Sequence, residues 1–163
     1  MRSAIVHYHL NRGGVTQVVV NHVLALDAAG RQALDFVLLV HGGQRAGFPE
    51  DLPEQLRGIR VREAVVPELA YDEVAGGGPR PRVLADRIES VLRQSGCDAA
   101  NTVLHVHNHA LGKNLSLPGA LGALARDGYA MLLQVHDFAE DFRPANYRRL
   151  RMALSPDAPD RLP

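Results

Sequence analysis

The chain has 163 residues, of which 46% are hydrophobic and 22% charged, the composition of an ordinary soluble globular protein. This length predicts one domain with enough residues to bury a core. The 18 basic and 18 acidic residues cancel, so the overall charge gives no reason to expect a nucleic-acid or acidic-membrane partner. The single cysteine, Cys97, excludes a disulfide within the chain and a cysteine-rich zinc site.

The N-terminal sequence MRSAIVHYHL is too short and too polar for a secretory signal peptide. No apolar run approaches the roughly 20 residues of a membrane-spanning helix. Together with the lone cysteine, these features predict a cytoplasmic protein without a membrane span.

The first quarter of the chain predicts a strand, a helix and a second strand. Residues 4–8 form a short apolar run that leads into a glycine turn, Gly13-Gly14, and then an amphipathic helix that Gly30 ends. Residues 34–40 predict the second strand. We expect the first strand to be central in a sheet, because its residues are nearly all apolar.

The middle of the chain is less regular. Residues 48–56 predict one short helix, and residues 59–66 a strand near the sheet edge, because apolar and charged side chains alternate there. Residues 67–79 end in a glycine-rich run and predict a mobile segment. A further amphipathic helix is predicted from Pro81 to just before Gly96.

Residues 102–141 predict a strand, a polar turn, a helix and another strand. Ser116 is the predicted N-cap of the helix, Pro118 suits its first turn, and Gly128 ends it. The second strand covers residues 131–135. A strand–helix–strand unit of this size is typical of a parallel crossover.

Strands and helices that alternate in this way predict an α/β fold, a Rossmann-like three-layer α/β/α arrangement with a mostly parallel sheet. We assign residues 1–150 to one domain and residues 151–163, which contain three prolines, to a flexible tail.

The histidines are concentrated at one predicted edge of the sheet, where open parallel sheets bind their ligands. His22, within the first helix, is instead predicted to be a satisfied core or boundary residue. The other seven lie in or just after predicted strands: His7, His9, His41, His105, His107, His109 and His136.

The glycine turn predicts an anion site, since free N–H groups at a helix N-terminus stabilise a phosphate or carboxylate. The alternative is a plain tight turn. Gly13 and Gly14 do not fit the G-x-G-x-x-G fingerprint and no Walker lysine follows them, so neither a dinucleotide site nor a P-loop is supported. No cofactor is expected.

A metal-dependent hydrolase is a further alternative. His105-x-His107 and His7-x-His9 each point two rings to one face of a strand, and Asp137 could add a carboxylate. We favour an interpretation without a metal. A serine hydrolase is less favoured still, because there is no G-x-S-x-G elbow.

The segment HYHLNRGGVTQVVVNHVLAL resembles the opening of the N-terminal domain in glycosyltransferases with two Rossmann-like domains, the GT-B fold. The resemblance is to the retaining, glycogen-synthase-like and mannosyltransferase-like group. LLQVHDFAED and VLHVHNH are similar to that family's strand ending in His-Asp and to the strand before it.

The resemblance implies that Gly13 and Gly14 lie against the donor diphosphate, where backbone donors stabilise the charge on the departing group. It places His136 near the reacting centre as the catalytic residue, with Asp137 on the donor side. Asn11, Asn108 and His109 are assigned to the acceptor side from their location alone.

In that family the nucleotide lies mostly on a C-terminal domain with a Glu-x7-Glu motif, which this sequence lacks. The chain is therefore expected to be a front portion of such an enzyme and inactive alone. Its expected partners are a nucleotide-sugar donor, a hydroxyl acceptor and the C-terminal domain. The alternative is a non-catalytic module that binds a sugar, a phosphate or a protein. Exposed apolar surface also predicts self-association.

Overall fold

A computed structural model describes residues 1–30, 34–75, 80–141 and 143–153. Five parallel strands form one sheet in the order β3-β2-β1-β4-β5. The strands are β1 (Arg2–Val6), β2 (Phe36–His41), β3 (Arg60–Val65), β4 (Thr102–His107) and β5 (Ala130–Gln134). The helices are α1 (Gly14–Ala29), α2 (Leu52–Gln55), α3 (Asp72–Ala75), α4 (Pro81–Gln94), α5 (Leu117–Arg126) and α6 (Pro144–Ala153).

The predicted fold class is confirmed, and the sheet is parallel at every pairing within the described residues. β1 lies at its centre, as its apolar sequence predicts, and its last four residues are buried. β3 lies at one edge and is mostly exposed, which agrees with its alternating pattern. β5 forms the opposite edge.

Two hydrophobic clusters cover the two faces of the sheet, because successive strand residues point to opposite sides. On one face, Val6 and Val106 pack with residues of α4 and α5 such as Ile88 and Leu121. On the other face, α1 contributes its buried valines to a cluster with the odd-numbered residues of β1 and β2: Val19, Val20, Val23, Ile5, Val37 and Leu39.

The sheet is covered incompletely at β5. Leu132 and Leu133 project to opposite faces of this strand and are 54% and 46% exposed. Val135, directly after the strand, is 41% exposed. The β5 edge therefore presents apolar side chains on both faces, unlike the buried strand β4 beside it.

Ser116 is the N-cap residue, as predicted, but its hydroxyl does not cap the helix. Ser116 already has helical backbone angles, and its hydroxyl accepts a hydrogen bond from the Arg80 N–H at 2.8 Å. Asn114 supplies the acceptor instead, since its Oδ1 takes the N–H groups of Ser116 and Leu117, both at 3.0 Å. The capping side chain thus lies two residues earlier than predicted.

The segment predicted to be mobile is ordered over its first nine residues, in a 3₁₀ turn (Pro67–Leu69) and helix α3. Leu69 is fully buried and the Asp72 carboxylate lies 2.8 Å from the Arg149 guanidinium of α6, which holds the segment in place. The glycine-rich residues 76–79 lie outside the described residues. Of the predicted tail, residues 151–153 form the end of helix α6, and residues 154–163 also lie outside the described residues. Among the helices described, none has the length and hydropathy to cross a bilayer.

Candidate functional site

A cleft of about 140 Å³ opens at the carboxyl edge of the sheet, beside the N-terminus of α1. Five of the seven residues assigned from sequence line it: Asn11, Gly13, Gly14, Asn108 and Asp137. The turns after β1, β4 and β5 bring them together, because neighbouring parallel strands end at the same edge.

The fold itself does not require glycine at Gly13 or Gly14. Gly13 has an extended backbone with φ of 168°, and neither residue has a left-handed conformation. A Cβ added at either position would meet no atom within 4 Å. The first N–H groups of a helix have no partner within it, so this open space gives a ligand access to the N-terminus of α1.

The glycine turn is held by the loop that follows β2. Asn11 donates to Gln44 Oε1 at 2.7 Å and accepts from the Ala46 N–H at 3.3 Å. The Gly47 N–H donates to the Leu10 carbonyl at 3.0 Å. Here glycine is required, because a Cβ at Gly47 would overlap the backbone of Arg12. The position of the turn is thus fixed by packing, although the space beside its two glycines, where a Cβ would lie, is open.

Cationic and aromatic side chains that the sequence did not single out also line the cleft. Lys113 Nζ lies 5.2 Å from the centroid of the Tyr71 ring, and His9 Nε2 lies 3.2 Å from the Tyr71 hydroxyl. Arg143 lies across the cleft, 3.9 Å from the Asp137 carboxylate. Burial lowers the pKa of His9 and raises that of Tyr71, so both favour their neutral forms at pH 7. The net positive charge of the cleft therefore comes from Lys113 and Arg143.

Asn108 fixes the turn that carries His136 and Asp137. Its Oδ1 accepts their N–H groups at 2.7 and 3.2 Å, and its Nδ2 donates to Asp137 Oδ2 at 3.3 Å. Its own carbonyl accepts the Tyr8 hydroxyl at 2.7 Å. Asn108 is 2% exposed and has a φ of 56°, the left-handed region that asparagine tolerates better than most residues. The hydrogen bonds of the Asn108 side-chain amide therefore hold this turn in position.

His136 lies against a buried histidine rather than alone at the edge. Its ring is stacked on that of His107, with centroids 5.1 Å apart, and its Nε2 lies 2.8 Å from His107 Nδ1. Burial is the main cause that lowers the pKa of His107 to about 3, with nearby histidines adding to it. His107 is therefore neutral, so one of the two facing nitrogens donates its proton and the other accepts it.

His7 lies at the end of β1 between the cleft and His107. Burial lowers its pKa to about 4, and its Nδ1 lies 3.3 Å from the His107 carbonyl oxygen. Since a carbonyl only accepts, the Nδ1 of neutral His7 carries the proton. This side chain fills the wall of the cleft without adding charge.

His109 is not brought together with the other assigned residues. It lines a separate apolar groove between α5 and β5, of about 270 Å³, with Leu121, Tyr129 and Leu133. His41 is also apart, with its Nε2 3.3 Å from Glu63. His22 is half-buried, as a boundary residue would be, but its Nδ1 is buried with no hydrogen-bond partner among the described residues, so it is not the satisfied residue that was predicted.

No protein-family model matches the chain, and no solved structure matches it significantly. The chain is similar to a mannosylglucosyl-3-phosphoglycerate synthase of Petrotoga mobilis, with 28% identity over 153 residues. The match covers 93% of this chain and 28% of that protein, so the chain spans little more than a quarter of the length of its relative. This similarity supports a relationship to glycosyltransferases.

Proposed function

We propose that the chain is the N-terminal, acceptor-side portion of a retaining nucleotide-sugar glycosyltransferase of the GT-B fold. Its cleft would hold the diphosphate of the donor against the glycine turn. The observation that carries this proposal is that Gly13 and Gly14 leave space at the N-terminus of α1 that the fold does not need. The sequence similarity to a glycosyltransferase supports the same class of reaction.

The electrostatics of the cleft agree with an anionic ligand. Lys113 and Arg143 add two cationic side chains to the positive end of the helix, and Asp137 offsets only part of that charge. The departing nucleoside diphosphate gains negative charge as the sugar leaves, so donors fixed around it stabilise the transition state. In the intact enzyme the C-terminal domain would hold the nucleotide.

His136 is the proposed catalytic residue, and Asn108 is a positioning residue that acts through it. The backbone of His136 is held by the Asn108 amide at 2.7 Å and its ring is stacked on His107, so its orientation is fixed before a substrate binds. Its side chain would contact the donor sugar near the reacting centre. Asn11 would lie on the acceptor side of the cleft, whereas His109 lies apart from it in a separate groove.

The diphosphate site is tested with inorganic pyrophosphate and this chain alone, by isothermal titration calorimetry. The double substitution Gly13→Ala/Gly14→Ala places two methyl groups in the open space and is expected to abolish binding while the far-UV circular dichroism spectrum stays native. Lys113→Gln removes one positive charge with little change in side-chain length. It should lower the affinity for pyrophosphate and make that affinity less dependent on salt concentration. Equal pyrophosphate binding by all three proteins would contradict the proposed site.

The catalytic assignment needs a polypeptide that also contains the C-terminal domain. There His136→Ala should lower kcat for sugar transfer, since it removes a contact at the reacting centre. His41→Asn, which changes a histidine outside the cleft, serves as the control. Unchanged turnover in the His136 variant would remove the assignment.

A non-catalytic binding module is the second candidate. The exposed apolar side chains of β5, Leu132 and Leu133, favour it, because a partner could cover them without any reaction. The absence of transfer by a two-domain polypeptide that still binds pyrophosphate would support this candidate over the first.

A further inference from the structure

Three histidines form a second cluster on the face of the sheet that α1 covers. His105 and His107 alternate along β4 with Leu104 and Val106, which pack on the opposite face. His22 comes from α1. The ring centroids are 5.0 Å apart for His22 and His105 and 4.4 Å apart for His105 and His107. One ring nitrogen of each histidine lies within 4.8 Å of those of the other two.

The cluster contains buried nitrogen atoms without partners. Within the described part of the chain, His22 Nδ1 and His107 Nε2 are buried and have no hydrogen-bond partner. His105 Nε2 lies 2.8 Å from Gln134 Oε1, and because an amide oxygen only accepts, Nε2 carries the proton and Nδ1 keeps a free lone pair. Buried polar atoms are normally paired. Unpaired nitrogens in a cluster of three neighbouring histidines therefore call for a ligand that accepts nitrogen lone pairs.

We propose that His22, His105 and His107 bind one divalent transition-metal ion, with zinc as the best match. Three neutral imidazoles are a familiar zinc ligand set, and they leave a fourth position for water or a substrate atom. Zinc–nitrogen bonds of about 2.0–2.1 Å put tetrahedral ligand atoms roughly 3.3 Å apart, so the nitrogens have to approach one another by at most about 1.5 Å. Small rotations of the three rings supply that movement, and half-buried His22 offers the way in.

Hydrogen bonds outside the cluster already hold its rings. Gln134 fixes the tautomer of His105, which is the role that outer partners take around metal ligands. A metal on His107 Nε2 would require its Nδ1 to carry the proton and donate it to His136 Nε2 across 2.8 Å. His136 would then keep its own proton on Nδ1. The metal would in this way fix the proton position of the proposed catalytic residue His136. This effect on catalysis rests on the proposed function, whereas the metal site itself does not.

The test uses the full 163-residue chain without an affinity tag, stripped of metal with a chelator and titrated with Zn²⁺ or Co²⁺ alone. Calorimetry should give one ion per chain, and the cobalt form should show the intense visible absorption of a tetrahedral site. Absence of binding, or weak binding to several ions without saturation, would overturn the proposal.

Variants place the ion at these residues. His22→Ala or His105→Ala should weaken zinc binding by more than the roughly 10–100-fold that loss of an outer partner causes, and Gln134→Leu should fall within that range. His9→Gln, a histidine of the cleft outside the cluster, should bind zinc as the unmodified chain does. Melting of each metal-free variant shows whether it is folded. Zinc binding by folded His22→Ala with unchanged affinity would refute the assignment. The same variant should still bind pyrophosphate as the unmodified chain does, because His22 lies outside the cleft, so failure of the metal site would not count against the proposed function.

Discussion

Replacement of Asn108 tests whether one buried amide holds the turn of His136 and Asp137. In Asn108→Gly the backbone keeps its freedom to adopt a φ of 56°, and only the side-chain hydrogen bonds disappear. The two bonds from the His136 and Asp137 N–H groups, 2.7 and 3.2 Å long, are the main loss. At about 0.5–1.5 kcal/mol each, they predict a fall of about 1–3 kcal/mol in the free energy of unfolding.

Asn108→Ala loses the same side-chain hydrogen bonds and also places a residue with a Cβ in a left-handed backbone conformation. A left-handed conformation costs a residue with a Cβ about 1–2 kcal/mol, while alanine gains about 0.4–1 kcal/mol over glycine from its more restricted unfolded state. Alanine is therefore expected to be less stable than glycine at this position by about 0.5–1 kcal/mol. A glycine variant that is more stable than the alanine variant is the result expected for a left-handed backbone at this position.

Urea unfolding followed by far-UV circular dichroism measures both differences, and the chain has no tryptophan to serve as a fluorescent probe. Asn108→Asp is the matched control, since it keeps Oδ1 as an acceptor but places a second carboxylate against Asp137. It should regain stability as the pH falls and the carboxylates are protonated. A glycine variant within about 0.5 kcal/mol of the unmodified chain, or an alanine variant as stable as glycine, would refute the reasoning.

Three further predictions concern the sheet edge and the core. Acidification from pH 7 to 5, with a chelator present, should lower the free energy of unfolding, because the pKa of His7 falls from 6.5 to about 4 on folding and the unfolded chain binds more protons. The loss begins near pH 6.5 and ends below pH 4. Urea titrations should show that the free energy of unfolding of His7→Asn changes less steeply with pH than that of the unmodified chain, by up to about 1.4 kcal/mol per pH unit. Gly47→Ala should lose more than about 3 kcal/mol, since its Cβ meets backbone, whereas Gly13→Ala should stay within about 0.5 kcal/mol in the same denaturation assay; equal losses would contradict both expectations. Leu133→Lys should reduce self-association in sedimentation velocity, and a monomeric unmodified chain at high concentration would count against that.

The sequence predicts the sheet well because its signals are local. The apolar run at the start places β1 in the centre, and the alternation in residues 60–65 places β3 at an edge. The capping error at Ser116 has a different origin. A serine and an asparagine two residues apart both suit a cap, and only the contact of the Ser116 hydroxyl with Arg80, distant in sequence, decides between them.

The cleft is predicted in part for the same reason. Residues in the turns after strands, such as Gly13 and Asp137, can be placed at the edge from topology. Tyr71 and Arg143 come from segments without periodicity, and nothing local signals that they reach the cleft. Lys113 is the one lysine of the chain, and its place after β4 is a local signal for a cationic side chain at this edge. The pairing of His22 with β4 depends on how α1 lies across the sheet, which its sequence pattern does not specify.

The central position of β1 also has a consequence for the order of folding. Within this chain, β1 is synthesised before both strands with which it pairs, β2 on one side and β4 on the other. Its residue Arg2 pairs with Thr102, which is synthesised far later. Until then one backbone edge of β1 stays open, together with the buried side chains that α4 and α5 later cover. Non-local parallel pairing of this kind slows folding and prolongs the exposure of an unpaired edge. Strand β1 is thus where a chaperone bound during synthesis would protect this part of the protein most.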